Sequence, residues 1–279
     1  MGQARGQASG RVSNNVIPRL GLGTYPLMGK EAEEVVGMAI DLGYRHIDTA
    51  QMYGNEAAVG KALARSGVPR DKVFVVTKVD PGNLSAARFA PSVARSVADL
   101  GGPVDLLLIH WPPPDDEIDA TVDRLVAALE RGEARHIGVS NFTIAMMEQA
   151  QRRAGGRIIC NQVEFHPLID QRRVLAAAQR FNISLTAYSP LARGKVLRAE
   201  AVSAIAKKLG RPASEIVLRW IIQQDVAAIP KSGRRDNLRS NLNALSFSLS
   251  EQDMAAIAAL ASPSGRTLSR SSMQGRWDN

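Results

Sequence analysis

The sequence predicts a single-domain (β/α)8 TIM barrel of the α/β class, and three observations carry that expectation. Strand-length apolar runs alternate with helix-period stretches eight times along the 279 residues. Their connections are short, and no Pro/Gly/Ser-rich linker divides the chain. The run "VDLLLIHW" (104–111) is nearly all apolar, as a parallel strand covered on both faces must be. Parallel strands with covering helices close at eight, and about 250 residues suffice for one such unit.

Periodicity justifies each element in turn. "RLGLGTY" (19–25) opens the first unit and "EAEEVVGMAIDLG" (31–43) is its helix. "YRHIDTA" (44–50) leads into "NEAAVGKALARSG" (55–67), where Val59, Ala62 and Leu63 share a face. "KVFVVTKV" (72–79) precedes a helix within 85–100 carrying Val93, Val97 and Leu100. After 104–111 come "TVDRLVAALERG" (121–132), "ARHIGVSN" (134–141), "IAMMEQAQRR" (144–153) and "RIICNQVEF" (157–165). The last units are "QRRVLAAAQRF" (171–181), "ISLTAYSP" (183–190), paired helices within 199–224, "VAAIPK" (226–231) and helices within 234–261. An open doubly wound sheet is the rival architecture. Its G-x-G-x-x-G phosphate fingerprint is only half present, since Gly21 and Gly23 are followed by Pro26 where the third glycine belongs.

Composition narrows the function. An apolar share of 45% is ample for a core, and 22% charged residues is ordinary for a globular protein. The one cysteine, Cys160, excludes an internal disulfide and a cysteine-rich metal site, and it fits the expected reduced, cytoplasmic setting. Residues 1–13 read as a flexible N-terminal extension ahead of a barrel over 14–279, with neither a signal-peptide apolar core nor a myristoylation pattern. No apolar run reaches the ~20 residues of a membrane span. The net charge of +8 is uneven, because residues 190–279 hold 14 Lys/Arg against 7 Asp/Glu. With no aromatic-interleaved basic run and no recognition helix, nucleic acid is not the expected partner. A phosphate-bearing small ligand explains the asymmetry with fewer assumptions.

In a barrel, chemistry belongs at the C-terminal strand ends. There the chain places Asp48 and Tyr53 in "HIDTAQMYGNE", Lys78 ending "VVTK" and His110 ending "LLLIH". A phenol titrates near ~10 and is a poor acid at neutral pH unless an ammonium such as Lys78 lowers it. Asp48 can pair with Lys78 and keep it charged, while His110 can orient a substrate oxygen. The set is a general acid aimed at a carbonyl. No side chain delivers hydride, so a cofactor must. His46, His136 and His166 are too scattered for a metal site, and "GVSNF" lacks the second glycine of a hydrolase elbow.

The stretches "GLGTY", "HIDTAQMYGNE", "VVTK", "LLLIHWP", "IGVSNF", "NQVEFHP", "YSPLARGK" and "IPKSGRRDNLRSN" together resemble the landmarks of the aldo-keto reductase family, from about residue 16 to the end. The resemblance implies a catalytic tetrad of Asp48, Tyr53, Lys78 and His110, with Tyr25, His110 and Trp111 at the substrate. It also implies NADPH bound without a Rossmann motif. Gly23, Thr24 and Asp48 would lie against that cofactor, Ser140, Asn141 and Gln162 would hold its carboxamide, and Tyr188 would stack on its ring. Ser189, Leu191 and Gly194 would line the pyrophosphate, Lys231, Ser232 and Arg234 the 2′-phosphate, and Asn241 the adenine. Asn237 and Ser240 depart from the family's Arg and Glu. "HWPPPDDE" and the tail "RWDN" look like a bacterial branch of the family acting on 2,5-diketo-gluconate and methylglyoxal. The implied activity is a monomeric carbonyl reductase with no metal, nucleic acid or membrane partner. A cofactor-binding redox sensor with slow turnover is the alternative, and the intact tetrad favours the enzyme.

Overall fold

An apolar stripe on a helix and a strand apolar on both faces each need a partner surface, and alternating them along a chain supplies it. The computed structural model describes residues 16–278, so the expected extension over 1–13 lies outside the described residues. Eight strands form one sheet in chain order: β1 Leu22–Gly23, β2 His46–Asp48, β3 Phe74–Val79, β4 Val104–Ile109, β5 Ala134–Ser140, β6 Ile158–Glu164, β7 Ser184–Tyr188 and β8 Ala227–Ala228. Every neighbouring pair is parallel. A parallel bridge between Leu20 and Ala228 joins the two ends into a barrel.

The outer strands are shorter than the sequence suggests. Expected over 19–25 and 226–231, they are regular for two residues each. Pro230 has no N–H to donate and interrupts the ladder, so closure rests on single bonds such as Gly21 N to Ala228 O at 2.9 Å.

Among the described residues, ten α-helices cover the barrel: α1 Gly29–Asp41, α2 Glu56–Arg65, α3 Ala86–Asp99, α4 Ile118–Glu130, α5 Ile144–Arg153, α6 Arg172–Arg180, α7 Glu200–Leu209, α8 Ala213–Ile222, α9 Arg235–Asn243 and α10 Glu251–Ala258. On α1, Ala32, Val35, Val36, Ala39 and Ile40 are buried, the i, i+3, i+4, i+7, i+8 stripe of a helix lying on a sheet. Thr143 caps α5 by accepting from Met146 N, and Ser250 caps α10 by accepting from Asp253 N.

The two-residue period of the strands sorts the core into layers. Leu107 and Ile109 pack outward under the helices, whereas Val76, Leu106, Leu108 and Cys160 fill the barrel with Ile17 and Ala227. The interior is narrow at Gly138, where a Cβ would come within 2.7 Å of both Cys160 O and Leu108 Cδ2. The same period turns Asp48 and Lys78 inward, beside the residues that decide function.

Candidate active site

Asp48 follows inward-facing His46 by two residues on β2, and Lys78 follows Val76 by two on β3. Both side chains are almost fully buried. Lys78 Nζ donates to Asp48 Oδ1 at 2.5 Å and to Thr49 O at 2.8 Å. Burial opposes the ammonium, but Asp48 and then Tyr53 outweigh it and hold its pKa above the ordinary lysine value. The second oxygen of Asp48 accepts from Gln162 Nε2 at 2.7 Å.

Tyr53 ends a 3-10 turn, Gln51–Tyr53, whose first side chain is fastened at three points. Gln51 Nε2 donates to Ser96 Oγ, and its Oε1 accepts from Asp80 N at 3.0 Å and Asn83 Nδ2 at 2.9 Å. The Tyr53 ring lies with its centroid 5.1 Å from Lys78 Nζ, 5.1 Å from the Tyr25 ring and 5.6 Å from His110, edge to face. On charge alone, Lys78 is expected to lower the phenol's pKa. The net shift is upward instead, because burial outweighs the lowering by Lys78. Tyr53 therefore keeps its proton until an acceptor arrives.

His110 follows β4 directly, and burial, then Lys78 and Arg270, push its imidazole down to about 2. It is neutral at physiological pH. Its buried Nδ1 has no hydrogen-bond partner.

These groups border one cavity of about 420 Å³. Of the residues expected there, Gly23, Thr24, Tyr25, Asp48, Tyr53, His110, Trp111, Ser140, Asn141, Gln162, Tyr188, Ser189 and Lys231 line it. Lys78 is buried behind Tyr53. Leu191, Gly194, Ser232, Arg234 and Asn241 stand outside the lining. Arg234 is exposed just before α9, Asn241 is buried, and the Ser240 hydroxyl donates to Glu215 Oε1 at 2.7 Å. Met52, Pro190, Arg193, Ile229 and, from the tail, Leu268, Ser269 and Arg270 also line the cavity, though none of these is a site residue expected from the sequence. The tail near Trp277 is expected at the pocket rim from the sequence, but no local signal singles out Leu268, Ser269 or Arg270.

The tail reaches the cavity because Glu164, at the end of β6, holds it. Its carboxylate accepts from Thr267 N at 2.8 Å, Thr267 Oγ1 at 2.5 Å, Leu268 N at 3.2 Å and His166 Nε2 at 2.9 Å. Burial raises the Glu164 pKa, but the bonds from His166 and Thr267 win and set it below the ordinary carboxylate value. Trp277 packs edge-on to Trp111, its Nε1 donating to Ser269 Oγ at 3.2 Å.

The residues fit a nicotinamide cofactor on their donor chemistry. Asn141 Nδ2 is occupied by His110 O and Ser140 Oγ, while its Oδ1 accepts from Tyr188 Oη at 2.8 Å. Oδ1 retains a lone pair, and Gln162 retains one N–H and its carbonyl oxygen, the complement of a carboxamide. After β7, Ser189, Ala192, Arg193 and Gly194 all have left-handed φ, between 46° and 86°. Such strained runs of backbone N–H groups form anion-binding concavities. Among the described residues, no group of three or more His, Cys, Asp or Glu could hold a metal, and no helix is long and apolar enough to cross a membrane.

A barrel with a buried Lys–Asp pair beneath a tyrosine and a neutral histidine at one cavity defines a carbonyl oxidoreductase. The profile of the Aldo/keto reductase family matches residues 19–262, and the chain belongs to that family. It is 42% identical over 266 residues to methylglyoxal reductase DkgB of Escherichia coli O157:H7, covering 94% of this chain and 99% of that protein. An aldo-keto reductase of Mycobacterium sp. (strain JLS) is 38% identical, covering 88% of this chain and 90% of the other. Among solved structures, a candidate 2,5-diketo-D-gluconic acid reductase B superposes with a TM-score of 0.92 at 41% identity, covering 96% of each chain. The protein is an oxidoreductase acting on carbonyl groups.

Proposed function

We propose that the chain reduces small aldehydes and ketones, of the methylglyoxal and 2,5-diketo-gluconate kind, to alcohols with NADPH, and that Tyr53 supplies the proton. The reading rests above all on the buried Lys78–Asp48 pair beneath the Tyr53 ring, an arrangement with no structural need at the end of a barrel. Bound NADPH would supply the hydride to the carbonyl carbon, a task no side chain here can do. Tyr53 gives its proton to the carbonyl oxygen, and the resulting phenolate faces the Lys78 ammonium, which Asp48 keeps charged. Neutral His110, with its hydrogen on Nε2, donates to the same oxygen and orients it, leaving partnerless Nδ1 as the bare nitrogen. Gln162 and Asn141 would hold the carboxamide and Tyr188 the ring face. Lys231 and Arg234 would take the 2′-phosphate, which would favour NADPH over NADH.

The domain plan of one barrel over 14–279, a monomeric state and a cytoplasmic setting belong to the same proposal. Sedimentation and cell fractionation test the last two. The activity is tested with a panel of aldehydes and keto-sugars followed by oxidation of NADPH and NADH. Turnover of several small carbonyls with NADPH ahead of NADH is expected. A chain that binds NADPH yet turns over none of them contradicts the proposal.

A further inference from the structure

Apart from Asp48, the lining of the cavity contains no carboxylate, and both Asp48 oxygens are occupied by Lys78 and Gln162. Against this stands a cation that the reduction as described does not use. The half-buried guanidinium of Arg270 lies 5.3 Å from the centroid of the Trp111 ring, with one nitrogen 3.9 Å from Met52 Sδ. A ring face and a thioether hold a guanidinium in place but cannot neutralise it. Among the described residues no carboxylate pairs with Arg270. It is close enough to His110 for its charge to act on the imidazole.

Its placement is preorganised. Glu164 fixes Thr267 and Leu268, and Trp277 fixes Ser269, so the backbone entering Arg270 is held on the barrel. Trp111 follows β4, and Met52 follows β2. The other cations on the lining, Arg193 and Lys231, come from the loops after β7 and β8, across the ring of strands. Arg270 thus stands on the side of the cavity opposite the candidate phosphate groups, beside Tyr53 and His110.

We propose that Arg270 determines specificity by pairing with a carboxylate on the substrate, so that short carbonyl acids are preferred to neutral aldehydes. The proposal rests on the reductase reading above and adds the substrate class to it. A planar guanidinium meets a carboxylate through two parallel N–H bonds, and its weak hydration favours this pairing in a half-buried site. The carbonyl end of the same molecule then lies toward Tyr53 and His110.

The test compares wild type, Arg270→Met and Arg270→Lys on succinic semialdehyde and butyraldehyde, two four-carbon aldehydes that differ in a terminal carboxylate. The methionine keeps the length and apolar contact of the side chain without its charge. The ratio of kcat/KM for the acid over the neutral aldehyde should fall about 10-fold or more in Arg270→Met, and partly recover in Arg270→Lys. Calorimetric titration of the chain with succinate, without cofactor, should show binding that Arg270→Met weakens by a similar factor. An unchanged ratio, or succinate affinity equal in wild type and Arg270→Met, overturns the proposal. If wild type turns over neither aldehyde with NADPH or NADH, the reductase reading fails, while the succinate titration still decides what Arg270 binds.

Discussion

Gln162 Nε2 donates to Asp48 Oδ2 at 2.7 Å, linking residues 114 positions apart on β6 and β2 across the barrel. The other oxygen of the same carboxylate holds Lys78. One buried carboxylate therefore fixes both the ammonium beneath Tyr53 and the Gln162 amide proposed to hold the cofactor. Asp48→Asn tests this, because an amide must turn an NH2 toward one of two donors and leaves the ammonium without a counter-charge. Removing one partner of a buried pair costs about 3–5 kcal/mol. Urea unfolding should show a loss of that order, together with a large fall in kcat. A variant of wild-type stability would mean that Lys78 has another source of compensation.

Tyr53→Phe removes the proposed proton donor and nothing that touches the cofactor side. We expect kcat to fall by several orders of magnitude while NADPH affinity, read from fluorescence titration, stays within a few-fold. Near-normal turnover by the phenylalanine variant assigns the proton to another group. Because burial raises the phenol's pKa, kcat for reduction should also hold steady from neutral to moderately alkaline pH rather than decline with early loss of the proton.

His110 gives a pH signature in stability. Its pKa is about 2 in the folded chain against 6.5 ordinarily. Between those values the unfolded state binds a proton that the folded state refuses, so stability falls as the pH drops through that window. The contribution of His110 to the slope approaches about 1.4 kcal/mol per pH unit well below 6.5. His110→Gln removes it. Denaturation at pH 7, 6 and 5 should show the variant losing less stability than wild type, and parallel losses would contradict the neutral imidazole.

Glu164 acts at a distance from the chemistry. Glu164→Ala deprives the amides of Thr267 and Leu268 of their acceptor and frees the tail. Charge-assisted bonds contribute about 1.5–3 kcal/mol each. Protease cleavage within 263–278 should appear in the variant but not in wild type, and KM should rise more than kcat falls. An uncut tail with an unchanged KM shows that its other contacts, among them Arg276 with Asp115 and Asp278 with the Ile144 amide, suffice to hold the segment.

The proposed preference for NADPH would rest on exposed residues near the start of α9. Lys231→Ala or Arg234→Ala should weaken NADPH by about 10-fold and leave NADH nearly unchanged, as expected of one charged phosphate contact. Asn237→Arg should tighten NADPH selectively, since arginine offers a charged fork where asparagine offers one neutral bond. Equal changes for both cofactors would remove the 2′-phosphate from this region.

The order of the elements was legible because hydrophobic periodicity is a local property: the alternation of strand and helix, the burial of 104–109 and the helix over 144–153 all follow from spacing along the chain. The polar residues at the strand ends were legible for the same reason, since Asp48, Lys78 and His110 interrupt apolar runs where a barrel opens. Their distances were not. That Asp48 serves Lys78 and Gln162 at once depends on the register of β2, β3 and β6, which closure of the sheet sets. The sign of the Tyr53 shift depends on how much protein surrounds the ring, and sequence reasoning weighed only the charge of Lys78. The tail carries no periodic signal. Its place at the cavity is set by Glu164, about a hundred residues away, whose carboxylate satisfies the tail's amides. Local pattern therefore determined the architecture and the chemical groups. Only the closed barrel decided which of those groups meet, because hydrogen bonds and burial act over a few ångströms whatever the distance along the chain.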